Sequence, residues 1–143
     1  MSIPQALAAI LGASLALVTS TAAQVSTSNV PAGASACFEK AYNQKDAEAL
    51  TSCFADTVRV YSVTPDSVRV LVWTRQDIRA TYARIFARMP KARQVTLDTL
   101  TEGSYTAARE RLEEIAPGVA ANGLSVYRLR AGRITGLWSF SDP

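Results

Sequence analysis

The sequence predicts an α+β domain in which three helices gather on one face of a curved, mainly antiparallel sheet. Three stretches carry that expectation. Cys37 to Ser62 reads as two short helices folded back on each other and leading into a strand. Thr74 to Met89 reads as one amphipathic helix, and Gln94 to Phe140 as four strands broken by glycine-containing turns. Helices that cluster before and within a run of strands, without regular βαβ alternation, point to the α+β class.

The first helix is expected from Ser35, as N-cap, to Asn43, because Cys37, Phe38, Ala41 and Tyr42 recur at helical spacing. Gln44-Lys45 breaks it. Asp46 then caps a second helix, its carboxylate accepting free N–H groups of the first turn, and Glu48 sits favourably near that positive end. Leu50, Cys53 and Phe54 form the apolar stripe.

Thr57 to Val63 alternates as a strand, Thr64-Pro65-Asp66 turns, and Ser67 to Trp73 returns. Thr74 and Asp77 have capping-box spacing at the head of the third helix. Ile78, Tyr82, Ile85, Phe86 and Met89 follow on a single face, and Pro90 stops it. The remaining strands are expected at Gln94 to Glu102, Tyr105 to Ile115, Leu124 to Arg130 and Arg133 to Phe140, with a loop from Ala116 to Gly123.

The chain has 143 residues, 48% hydrophobic and 19% charged, which suits one domain with a core and excludes a disordered chain. No charged side chain precedes Glu39, and Ala6 to Val18 is apolar or small throughout. That run is shorter than the roughly 20 residues a membrane span needs. Small residues follow it, so residues 1–23 are expected to be a signal peptide cleaved after Ala23, although no Lys or Arg marks its start. The alternative is an unprocessed N-terminal helix. Residues 24–34, rich in Ser, Thr, Gly and Pro, read as a flexible lead-in, and 35–143 as the domain. The mature protein is therefore expected in the periplasm or outside the cell, with no stable membrane insertion.

Cys37 and Cys53 lie eight residues either side of Lys45, so an antiparallel helix pair turning there brings them level. In an oxidising compartment that arrangement favours a disulfide; two buried free thiols are the competing reading. Two cysteines with no histidine anywhere make no metal site, and no glycine-rich phosphate loop or other cofactor motif is present. The net charge is +3, and Arg75, Arg79, Arg84, Arg88, Lys91 and Arg93 fall in one segment. They read as a solvated helix face and not as a nucleic-acid surface, for no aromatic stacking platform accompanies them.

Tyr42-Asn43-Gln44-Lys45-Asp46, Ala49-Leu50, Phe54-Ala55-Asp56, Thr74 with Ile78-Arg79 and Tyr82, and Val126 to Ile134 with Trp138 together resemble the nuclear transport factor 2-like superfamily, in particular its SnoaL-like and ketosteroid-isomerase-like members. The resemblance implies a cone whose open end holds a small, usually apolar molecule, and it implies homodimers. It also implies where catalytic groups stand in the isomerases. At those positions this chain has Phe38 for a tyrosine, Ser62 for the general-base aspartate and Ser125 for a second acid, which argues against ketosteroid isomerisation. Within the long strand, Thr106, Ala108, Glu110, Leu112 and Glu114 share one face, and SnoaL-like chains carry an acid near this point. Glu110 is thus the candidate acid/base, in an apolar cone that would raise its pKa; the alternative is a glutamate paired with an arginine or left in water. Arg111 and Glu113 resemble the charged set of limonene-epoxide-hydrolase-like members, without a second acid to complete it.

Ser62, Trp73, Tyr82, Tyr127 and Trp138 are the expected ligand-contacting residues. Three functions follow from the resemblance: an exported module binding a small hydrophobic molecule; an isomerase, cyclase or hydrolase using Glu110; or a dimeric interaction protein without a ligand.

Overall fold

A computed structural model describes residues 33–140. The expected leader and most of the lead-in lie outside the described residues. The elements run α1 (Ala34–Asn43), α2 (Ala47–Ser52), β1 (Phe54–Thr64), β2 (Ser67–Thr74), α3 (Arg75–Arg88), β3 (Arg93–Glu102), β4 (Tyr105–Ala116), β5 (Val119–Arg130) and β6 (Arg133–Phe140). This is the expected order.

The cap of α1 lies two residues before the one the sequence suggested. Gly33 occupies the N-cap and Ser35 is buried within the first turn, so Ser35 is not the cap. The helix ends in a Schellman arrangement, with Lys45 N–H donating to the Tyr42 carbonyl and Asp46 N–H to that of Ala41. Lys45 takes the left-handed residue's place, at φ 57°, usually held by glycine. Its ammonium donates to the Tyr42 and Ala92 carbonyls and lies over the Tyr42 and Phe86 rings, contacts a glycine could not make. Asp46 caps α2 by accepting from Ala49 N–H at 2.9 Å. Cys37 and Cys53 form a disulfide with Cα atoms 5.9 Å apart, joining α1 to the end of α2.

α3 opens with the complete capping box: Asp77 N–H donates to the Thr74 hydroxyl, and Thr74 N–H to the Asp77 carboxylate. Arg79, Arg84 and Arg88 are exposed, Arg79 meeting Glu48 at 3.0 Å, whereas Arg75 is half-buried and donates to the Phe54 carbonyl at 3.1 Å.

The six strands form one mixed sheet in the order β2-β1-β6-β5-β4-β3. All neighbours are antiparallel except β1 and β6, which run parallel with Val60 opposite Leu137. Register shifts interrupt β3 against β4 between Thr96 and Asp98, and β4 against β5 between Leu112 and Ala116, where Glu114 has φ 52°. Such bulges bend strands and increase their twist, curving the sheet about the helices.

β5 begins at Val119, inside the stretch expected to be a loop, because Ala121, Asn122 and Gly123 pair with Leu112, Arg111 and Glu110. The long strand β4 supplies partners that the weak strand propensity of Ala-Ala-Asn-Gly gave no hint of.

The free edge of β3 is covered by α1. Asn43 accepts from Gln94 N–H and donates to its carbonyl, both at 2.8 Å, while Glu39 accepts from Thr96 N–H at 2.8 Å. Two helix side chains four positions apart thus take, at Gln94 and Thr96, the bonds a further strand would take, which blunts that part of the edge. Leu50, Phe54, Val58, Ile78 and Ile134 are essentially inaccessible and anchor the closed end of the fold, each contributing roughly 1.5–3 kcal/mol by burial.

Candidate functional site

Above that closed end a cavity of about 420 Å³ separates the helices from the sheet. α1 contributes Phe38 and Tyr42, α3 and its C-cap contribute Tyr82, Ile85 and Met89, and the strands contribute Trp73, Leu112 and Leu137 among others. Phe38 stands at the centre of the aromatic wall, edge-on to Tyr82 with ring centroids 5.5 Å apart. Wider hollows elsewhere are surface depressions; the one beside α2 and α3 is lined by the exposed Glu48–Arg79 ion pair.

Glu110 is the charged side chain among the residues lining this cavity. Strand alternation turns it inward with Thr106 and Ala108, while Arg109 and Arg111 turn outward and pair with Asp98 and Glu113. Register then supplies its partners. Gln94 on β3 donates to Oε1 at 2.9 Å, Tyr127 on β5 donates to Oε1 at 2.5 Å, and Ser125 donates to Oε2 at 2.7 Å. Burial pushes the carboxyl above its ordinary range; the Tyr127 and Ser125 hydroxyls pull it back, the Glu39 carboxylate adds an upward push, and Gln94 a downward one. Burial likewise lifts the Tyr127 hydroxyl well above its usual value, and Glu110's charge adds to this. Tyr82 rises for the same two reasons, with Tyr42 acting between them.

The arrangement is a carboxyl group held ready on the floor of an apolar cup. It can hold a donor or a positive charge, or exchange a proton with a bound molecule at a pH nearer neutrality than an exposed glutamate permits. No histidine exists to assist it, and among the described residues no cluster of side chains fits a metal ion.

Of the expected contact residues, Trp73, Tyr82 and Tyr127 line the cavity with Glu110. Ser62 does not. It pairs with Ser139 and Arg69 but lies exposed near the end of β1, where Val60 is that strand's contribution to the cavity. Trp138 does not either. It stands on the outer face of the sheet, stacked on Tyr61 at 4.7 Å and 3° from parallel, because its neighbour Leu137 takes the inward position on β6. Ser125, expected as the place of a lost acid, instead orients Glu110. Gln94 was missed; the signal was its alternation phase in β3, which places it on the inward face.

The SnoaL-like domain family matches residues 34–137 of the chain. No curated protein matches. Among solved structures, an uncharacterized cystatin-fold protein of Novosphingobium aromaticivorans superposes with a TM-score of 0.63 at 19% identity, covering 76% of this chain and 95% of that one. A protein of Catenulispora acidiphila with a ketosteroid isomerase-like fold, solved in complex with trimethylamine, gives 0.64 at 16% identity, covering 79% and 88%. IdmH of Streptomyces antibioticus, inferred to be a polyketide cyclase, gives 0.59 at 18%, covering 74% and 87%. These likenesses share the cone-shaped architecture, and the match along most of the domain shows that the chain belongs to the SnoaL-like family, within the nuclear transport factor 2-like superfamily.

Proposed function

We propose that this protein is an exported module that holds a small, largely apolar molecule in its cone without ketosteroid-isomerase chemistry. The observation that carries the reading is the apolar cavity with one carboxyl group, Glu110, at its floor. Phe38 brings no hydroxyl to the cavity, and Ser62, exposed and not among the lining residues, cannot act unaided as a base. The Cys37–Cys53 disulfide supports an oxidising compartment, and with it export through the apolar run at residues 6–18. The trimethylamine held by the Catenulispora neighbour supports small-molecule binding in this architecture. Native mass spectrometry of protein recovered from a periplasm tests the reading. A retained small molecule, absent when Leu112→Trp fills the cavity, is expected; full retention by that variant would place the ligand elsewhere.

A second reading is a SnoaL-like enzyme, isomerase, cyclase or hydrolase, with Glu110 as acid/base, favoured by the upward displacement of its titration. Turnover of a retained molecule that is lost in Glu110→Gln would establish it. A homodimer is also proposed: Val68, Val70 and Val72 are 61%, 50% and 65% exposed on the outer face of β2, with Leu124 and Phe140 beyond them, an apolar surface suited to a second copy. The same mass spectrum reports the subunit count, and Val70→Arg is expected to leave monomers.

A further inference from the structure

We infer that the molecule held in the cone is an organic cation, an amine or quaternary ammonium with an apolar body, whose charge rests against Glu110. The inference builds on the binding reading above and adds the charge of the ligand.

Its first support is the hydrogen-bond set around Glu110. Gln94 Nε2 can only donate, and the Tyr127 and Ser125 hydroxyls stand 2.5 and 2.7 Å from the same carboxyl, where each can donate. Three groups able to donate at once satisfy a carboxylate, which is an acceptor only, and the Gln94 amide N–H requires an accepting oxygen at Oε1. Oε1 receives two of these bonds and Oε2 one, so Oε2 keeps room for a further donor.

The second support is the lack of a counter-charge. Arg109 and Arg111 lie on the other face of β4 with their own acidic partners at 2.6 and 3.7 Å. Lys45 does not line the cavity; its ammonium is occupied by two backbone carbonyls and by the rings of Tyr42 and Phe86. The charge that does act on Glu110 is Glu39, of the same sign, and the other titratable groups facing it are the phenols of Tyr127 and Tyr82. A carboxylate withdrawn from water without an opposite charge is costly. A bound cation supplies that charge, a neutral ligand leaves the cost in place, and an anion adds to it.

The third support is the wall. Phe38, Tyr42, Trp73 and Tyr82 present aromatic surface to the same cavity as Glu110. Aromatic faces attract ammonium groups, most strongly where water is excluded. A carboxylate floor and aromatic walls select the same class of ligand.

The test pairs benzyltrimethylammonium with neopentylbenzene, which has the same shape and a carbon in place of the charged nitrogen. Both are titrated into the full chain, followed by the NMR shifts of the Trp73 ring. The cation is expected to bind at least about tenfold more tightly than the hydrocarbon, a difference of about 1.4 kcal/mol, with the ratio falling toward one in Glu110→Gln. Equal or tighter binding of the hydrocarbon by the wild type overturns the charge assignment and leaves the cavity reading standing; that comparison needs no variant to fold. A preference for the cation that persists in a folded Glu110→Gln also overturns it. If neither probe shifts Trp73, the cavity reading falls, and this inference with it.

Discussion

The Tyr127 hydroxyl on β5 donates to Glu110 on β4 across 2.5 Å, the shortest of that carboxyl's three hydrogen bonds. It stabilises the charged form of a group that burial otherwise drives toward protonation. Tyr127→Phe is therefore expected to move the Glu110 titration further upward and to cost about 1.5–3 kcal/mol of stability, the range for a hydrogen bond to a charged group. Carbon-detected NMR of the glutamate carboxyls across a pH series reads the first effect. An unmoved titration would show that the hydroxyl does not stabilise the anion.

The raised native titration of Glu110 also gives stability a pH dependence of definite sign. Below the ordinary glutamate value of about 4.5 the group is protonated in both folded and unfolded chains. As pH rises from there toward the native value, the unfolded chain releases its proton first and binds fewer protons than the folded one, so stability falls; above the native value the loss is complete and constant. Urea denaturation at a series of pH values is expected to show this fall in the wild type and not in Glu110→Gln. Parallel curves would contradict it.

Removing the Cys37–Cys53 bridge, by the double substitution to serine or by reduction, is expected to cost about 3 kcal/mol. The bridged residues are sixteen apart, and closing a loop of that length restricts the unfolded chain by about this amount. Thermal unfolding with and without reductant checks it.

Gly136 lies beneath the Trp138 ring: a Cβ there would come within 3.0 Å of two ring atoms. Gly136→Ala is expected to lift Trp138 from its stack on Tyr61 and to cost about 1–3 kcal/mol, the usual penalty for overpacking. A shift in tryptophan emission in that variant, absent from the variant when Trp138 is also replaced by Phe, reports the displaced ring.

The parts of the molecule legible in the sequence are those governed by local spacing. α3 carries its own start, face and stop in Thr74, Asp77, its apolar positions and Pro90, and the structure reproduces them. The inward turn of Glu110 follows from alternation along β4 alone. Its partners do not, because Gln94 and Ser125 meet it only through the register of β3 and β5, and register across separate strands leaves no local mark. Trp138 misled for a related reason: an aromatic residue in a strand signals burial against something, but whether that is the cone or the outer face depends on the phase of β6. Ser62 has the inward phase and still misses the cavity, since position along the strand matters as much as face.

The parallel pairing of β1 with β6 has a consequence for the order in which the chain is made. β1 emerges early, yet its inner neighbour follows only after β2, α3, β3, β4 and β5, and the Ile134 N–H that meets the Cys53 carbonyl arrives with it. Until then β1 can pair on one side alone, and its other edge stays open. Contacts so distant in sequence slow folding. A nascent chain lacking β6 therefore has no route to the closed sheet, so closure waits for the last strand to be made.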